Sequence, residues 1–361
     1  MMAHDWDLFC RVIDNFGDVG VCWRLARDLA RRGQRVRLWI DDARALSWMA
    51  GSERVEGVSV LDWQEAATSF RPGRVVIEAF GCELPAAVLS AMALASHPPL
   101  WLNLEYLSAE SYVERSHGLQ SPQFSGPAAG LDKRFFYPGF SRRTGGLLRE
   151  PDLLQRQANF DAAAWLAAHG CSAQPGERIV SLFCYDNPAL LGLIEQLGQV
   201  RTLLLVCPGP AARAIADTGF RERMSASARS NLRIISLPFL DQLDFDHLLW
   251  ASDLNFVRGE DSFVRAQWAA KPMVWQIYPQ DDGAHGPKLQ AFLQLWLQDA
   301  DDELRADYQR LWLSWNGLME FVDVALPDMD SAQMHALHWR AQLAAQQDLC
   351  SQILGLLGET S

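Results

Sequence analysis

The stretch from Leu8 to Gly33 limits this chain to one kind of architecture. Leu8-Phe9-Cys10-Arg11-Val12-Ile13 is mostly apolar and closes on a turn signal, Asp14-Asn15-Phe16-Gly17-Asp18, as a strand buried in a parallel sheet does. Val21, Leu25 and Leu29 then recur on one helical face until Gly33 ends the run. Arg35 to Ile40 reads as the next strand, with Asp41 and Asp42 in the loop beyond it. Strand, helix and strand in this order imply parallel pairing through a helical crossover, and open α/β sheets of that kind bind ligands at the carboxyl ends of their strands. Asp14 and Asp18 stand at such an end.

Two uses are open to each of these acids. Asp18 can cap the helix, taking its free amides and complementing its dipole. Asp14 can hold an Asx turn with Asn15 and Gly17. Either can instead serve chemistry. The glycines are spaced Gly17-x-x-Gly20, without the three-glycine dinucleotide fingerprint, so no nicotinamide or flavin cofactor is expected.

A length of 361 residues suggests two domains, each large enough for its own core. The net charge of -12 argues against a nucleic-acid partner, which would need an accumulated basic surface. No run approaches the roughly 18 to 20 apolar residues that span a bilayer, and Met1 to Asp7 has neither basic flank nor apolar segment, so a cytoplasmic chain without a membrane partner is expected. The seven cysteines form no Cys-x-x-Cys pair and the eight histidines show no metal spacing. Cys10, Cys22, Cys184 and Cys207 read as small core residues, and Trp39, Trp101 and Trp275 as core aromatics in strands. Asp-x-Asp triplets occur, Asp5-Trp6-Asp7 and Asp244-Phe245-Asp246 among them, and these two are placed before a strand and inside a helix, poor positions for a diphosphate-bound metal.

Further strands are expected at Arg74 to Phe80 and Leu100 to Leu104, with a helix over Pro85 to Ala95. Ser108 to Lys133 lacks periodicity and reads as a long loop. Composition changes between Phe136 and Glu150, where the interdomain passage is placed: residues 1–150 form an N-terminal domain, and residues 151–361 a second domain whose last helices pack back on the first. Alternation then restarts. Strands are expected at Ile179 to Cys184, Leu203 to Cys207, Leu232 to Leu237, Asp253 to Val257 and Pro272 to Gln276. Helices are expected at Pro188 to Leu197, Ala211 to Thr218, Asp241 to Trp250 and Asp261 to Ala269, followed by a mostly helical C-terminus. Two doubly wound α/β domains facing each other across a cleft are the economical architecture.

In the second half Val257-Arg258-Gly259-Glu260-Asp261-Ser262-Phe263-Val264-Arg265 again leaves a strand and opens a helix. Helix amides near Ser262 with the charge of Arg258 suit a diphosphate, while Glu260 and Asp261 suit sugar hydroxyls. The plainer alternative is a capped helix with Arg258 in a structural ion pair. Phe183-Cys184-Tyr185-Asp186-Asn187 ends a strand with an aromatic hydroxyl, and Phe239, Gln242 and Phe245 offer rings and an amide for a flat base. Met273 to Gly286 brings Tyr278, Gln280, Asp281 and His285 to the same edge.

Taken together, Asp14-Asn15-Phe16-Gly17-Asp18-Val19-Gly20-Val21-Cys22-Trp23-Arg24, Phe183-Cys184-Tyr185, Arg258-Gly259-Glu260-Asp261-Ser262 and Trp275-Gln276-Ile277-Tyr278 resemble the bacterial elongation factor P arginine rhamnosyltransferases over nearly the whole chain. The resemblance implies a GT-B glycosyltransferase that needs no metal. It would move rhamnose from dTDP-β-L-rhamnose, with inversion, to an arginine of elongation factor P. It places Asp14, Asp18 and Glu260 in catalysis, with Asp18 as the candidate base and Glu260 either touching donor or supporting Asp18. Phe16, Gly17, Phe183, Tyr185, Phe239, Gln242, Phe245, Arg258, Asp261, Ser262 and Tyr278 would bind donor. Guanidinium, with a pKa above about 12, is a poor nucleophile, so a carboxylate that orients one nitrogen and accepts its proton as the bond forms suits the chemistry. The competing readings are a transferase of this architecture with a lipid or saccharide acceptor, and a nucleotide-binding regulatory protein without catalysis.

Overall fold

A computed structural model describes residues 5–12, 17–51, 55–280, 283–321 and 324–359. The chain forms two compact units, Met1–Glu150 with Ala344–Ser361, and Pro151–Leu343. The first holds a sheet of β1 (Asp5–Cys10), β2 (Arg35–Ile40), β3 (Val58–Asp62), β4 (Val75–Ala79), β5 (Leu100–Leu104), β6 (Gln120–Pro122) and β7 (Asp132–Phe136), ordered β3-β2-β1-β4-β5-β7-β6. All pairings are parallel except β6 with β7. The second holds an all-parallel sheet of β8 (Arg178–Leu182), β9 (Thr202–Val206), β10 (Leu232–Ser236), β11 (Leu254–Arg258) and β12 (Met273–Gln276), ordered β10-β9-β8-β11-β12.

This topology sets where ligands can sit. Strand order reverses beside β1, whose neighbours are β2 and β4, and beside β8, whose neighbours are β9 and β11. Loops leaving the strands on either side of such a reversal diverge and open a crevice at the carboxyl edge. The segments after β1 and β4, and those after β8 and β11, are therefore the two candidate sites.

The first strand runs earlier than its apolar pattern predicts, Asp5–Cys10 rather than Leu8 to Ile13, and Ile13 lies outside the described residues. Asp7 is admitted to the sheet because its buried carboxylate accepts from Trp39 Nε1 at 2.8 Å, Arg37 Nη2 at 2.8 Å and the Gly73 amide at 2.7 Å. Burial pushes the Asp7 carboxyl up, against the pull of Trp39 and Arg37. Asp5-Trp6-Asp7 thus lies in the strand rather than before it, whereas Asp244-Phe245-Asp246 is in the Gln242–Ala251 helix as expected. The first helix, Gly17–Arg31, buries Val21, Leu25 and Leu29, and Gly33 follows it at φ +83°. Ser108 to Lys133 is not a loop: it carries the Ser111–Ser116 helix, β6, a 3-10 turn at Gly126–Ala128 and the start of β7. These elements are too short and too exposed to print a period in the sequence. Half-exposed β3 escapes for the same reason.

Phe140, Leu147 and Leu148 are buried in the first unit, and the units divide between Glu150 and Pro151. The Leu349–Glu359 helix returns to the first unit, placing Leu349, Cys350, Ile353 and Leu357 in the core around Leu25 and Leu29. Arg32 ties it down, reaching Asp348 at 2.8 Å and Ser351 Oγ at 2.7 Å while holding Asp28 of the Gly17–Arg31 helix that it follows. All seven cysteines are free and buried. No helix among the described residues is long and apolar enough to cross a membrane.

In the second unit the Gln242–Ala251 and Asp261–Ala269 helices are joined by a bidentate pair, Arg265 Nε to Asp246 Oδ1 at 2.9 Å and Nη2 to Oδ2 at 2.6 Å, each side chain 2% exposed. Truncating one partner of such a pair leaves a charge in a dry interior. Asp246→Ala is expected to cost about 3–5 kcal/mol, read as a lower urea midpoint, and adding Arg265→Met should restore much of the loss.

Candidate active site

In the first unit the reversal beside β1 gathers groups from three adjacent strands. Asp18 lies in the first turn of the Gly17–Arg31 helix and is only 3% exposed. It sits inside the helix rather than at the position before it, where the dipole favours its charge. Burial pushes the Cys22 thiol one turn further on well above its ordinary value, with Cys10 and the Asp18 carboxylate adding to the effect. That thiol stays neutral. Gly17 opens the helix, while Asp14 and Phe16 lie outside the described residues.

Two residues that the sequence reading did not assign to a site stand at this edge. Tyr106, just past β5, places its hydroxyl 3.5 Å from Asp18 Oδ1. Phe80, the first residue beyond β4, stacks on Tyr106 with centroids 4.5 Å apart and planes 17° from parallel. Phe80 does so at φ +58°, a left-handed conformation that costs a bulky residue about 1–3 kcal/mol. Both stand at carboxyl ends of strands, which is the signal that could have found them. Glu105, beside Tyr106, has its carboxyl raised by burial although Asn103 Nδ2 donates to it at 2.7 Å.

In the second unit the reversal lies between β8 and β11. Arg258 ends β11 with its guanidinium 4.4 Å from the ring centroids of both Phe183 and Tyr185, the residues that follow β8. Among the described residues its guanidinium is held against these two rings rather than against a carboxylate. Phe245 meets Phe183 edge-on at 5.6 Å, and Tyr278 meets Tyr185 edge-on at 5.4 Å, so five of the predicted donor residues form one cluster. Gly259, at φ +61°, turns the chain from β11 into the Asp261–Ala269 helix. Glu260 is the residue before that helix and caps no amide with its side chain. Ser262 folds its hydroxyl onto the Arg258 carbonyl and accepts from the Arg258 amide at 3.2 Å, bracing the turn. Asp261 is the first residue of that helix. Gln242, 4% exposed, opens the helix that carries Phe245, and Phe239 stands 57% exposed before it.

The support beneath this cluster comes from β12. Gln276 Oε1 accepts from the Tyr185 amide at 2.8 Å, and Trp275 Nε1 donates to the Gly259 carbonyl at 2.7 Å while its ring stacks on Phe263 at 3.9 Å. Burial pushes the thiols of Cys184 and Cys207 up to about 12, against the pull of the Arg258 charge. They remain neutral packing groups, as expected for small core residues. Asp281 lies outside the described residues, and His285 turns back to accept from the Gln280 amide at 3.2 Å. Among the described residues the one grouping with metal-ligand geometry is Asp28, Asp348 and Cys350, where Arg32 already engages both acids.

Residues 6–357 match the family described as Elongation-Factor P (EF-P) rhamnosyltransferase EarP. The chain belongs to the elongation factor P rhamnosyltransferase family. It is 43% identical to the protein-arginine rhamnosyltransferase of Pseudomonas aeruginosa over 97% of each chain, and 44% identical to that of Pseudomonas putida over 98% of each. A solved structure described as the structural basis for EarP-mediated arginine glycosylation of translation elongation factor EF-P is 31% identical, with a TM-score of 0.68 over 99% of this chain and 100% of that one. The calicheamicin glycosyltransferase CalG4, 12% identical with a TM-score of 0.53 over the full length of both chains, shares the fold alone. This member of the rhamnosyltransferase family is thus an enzyme, a glycosyltransferase with the two doubly wound units of the GT-B class and a helical C-terminus.

Proposed function

We propose that this chain transfers L-rhamnose from dTDP-β-L-rhamnose to an arginine side chain of elongation factor P in the cytoplasm, inverting the anomeric carbon and using no metal. The observation that carries this reading is the family match from residue 6 to 357. The geometry supplies the parts. Arg258, braced against Phe183 and Tyr185, and the amides of the Asp261–Ala269 helix take the charge of the thymidine diphosphate. Tyr278, Phe245, Gln242, Phe239, Asp261 and Ser262 complete the donor site, and Glu260 holds a sugar hydroxyl. Inversion needs the arginine nitrogen on the side of the anomeric carbon opposite the diphosphate. As the new C–N bond forms and the C–O bond to the diphosphate breaks, the nitrogen gives its proton to Asp18, with Asp14 helping to orient the guanidinium.

Mass spectrometry of elongation factor P incubated with the purified chain and dTDP-β-L-rhamnose should show one added deoxyhexose on arginine. The rate should survive excess chelator, because the guanidinium and helix amides do the work a divalent ion would do. An unmodified elongation factor P would refute the acceptor, and loss of transfer in chelator that magnesium restores would refute the metal-free donor site.

A further inference from the structure

Three neighbouring strands, β1, β4 and β5, each send one residue to the same point: Asp18 after β1, Phe80 after β4 and Tyr106 after β5. The backbone at Phe80 is the unusual member. It adopts φ +58° where glycine would be the unstrained choice, with Gly81 at +65° directly behind it. Its amide donates to the Leu104 carbonyl at 2.6 Å, which locks the left-handed turn to the end of β5, and its ring is 8% exposed. A strained conformation persists only where the surroundings over-determine it, and such residues gather at functional sites. Here the strain lays a flat ring against Tyr106, fixing the direction of the hydroxyl that faces Asp18 Oδ1 at 3.5 Å. Catalytic hydrogen bonds are commonly long in the empty site and shorten when substrate binds.

We propose that Tyr106, aimed by the strained Phe80 ring, is a positioning residue that donates its hydroxyl to the Asp18 carboxylate, holding it in one orientation and in its ionised form. This rests on Asp18 being the base. A donor to the anion favours ionisation, so removing it raises the pH at which the carboxyl protonates. Tyr106→Phe keeps the stacked ring and removes only the hydroxyl.

The test uses the full chain with elongation factor P and dTDP-β-L-rhamnose. Tyr106→Phe should lower kcat roughly tenfold, leave the donor KM unchanged, and move the acid limb of the kcat profile upward by about one pH unit. Phe80→Leu, which keeps apolar bulk but loses the flat face, should move both quantities the same way by less, and should add nothing to Tyr106→Phe in the double variant. A wild-type kcat and acid limb in Tyr106→Phe overturns the proposal, as does a lower kcat with an unmoved limb, which would mean packing alone. Additive losses in the double variant overturn the role of Phe80. The carboxyl 13C titration of Asp18 should move upward in Tyr106→Phe even if another protein proves to be the acceptor. Full transfer by Asp18→Asn would instead strike the base assignment itself.

Discussion

Asp18→Asn should abolish useful transfer, lowering kcat by about 10²- to 10⁴-fold while dTDP affinity stays at its wild-type value. Asparagine fills the same space at a position only 3% exposed and can still accept a hydrogen bond, but it cannot take a proton. The attacking guanidinium must lose one as the C–N bond forms, since an N-glycosylated nitrogen that kept it would carry an extra charge into the product. Loss of the favourable carboxylate at the helix N-terminus is worth only about 0.3–1 kcal/mol, against about 3–5 kcal/mol for the kinetic effect. The chain should therefore still fold. Steady-state kinetics beside a calorimetric dTDP titration separates the two contributions. A variant with a tenth of wild-type kcat would remove Asp18 from the role of base.

Arg258→Ala should be nearly as damaging from the donor side, with kcat/KM down by about 10²- to 10³-fold and weaker dTDP binding. The more telling variant is Arg258→Lys. The guanidinium lies 4.4 Å from two ring centroids, so its plane is set before the diphosphate arrives. A lysine ammonium carries the charge but neither the planar fork nor the stacking, and should recover little of the loss. A lysine variant within threefold of wild type, measured as kcat/KM, would show that charge alone suffices.

Much of the fold was legible because one sheet is all parallel and the other is parallel but for its β6 edge. Strands buried on two faces print continuous apolar runs, and β2 and β5 fall at the residues those runs predict. What escaped had its identity set by tertiary partners. Asp5 to Asp7 enter a strand because Trp39, Arg37 and Gly73 satisfy Asp7, and none of those partners is near it in sequence. Short, exposed β3 and β6 carry no period to read. At the site, Arg258, Phe183 and Tyr185 could be found from strand-end position and side-chain type; the same strand-end signal marks Phe80 and Tyr106, but it does not show that they meet beside Asp18. Their roles depend on a left-handed backbone angle and on strand order, β1 beside β4 beside β5, which no local pattern encodes.

The return of residues 344–361 to the first unit bears on how this enzyme is made. Leu349, Cys350, Ile353 and Leu357 belong to the core that begins with β1, so that core stays unfinished while the ribosome synthesises the intervening 151–343. The second unit can close as soon as its own strands emerge, but the unit bearing Asp18 must wait until residues 344–357 have been made. Loss of the Leu349–Glu359 helix would leave an intact second unit attached to an open, protease-sensitive sheet.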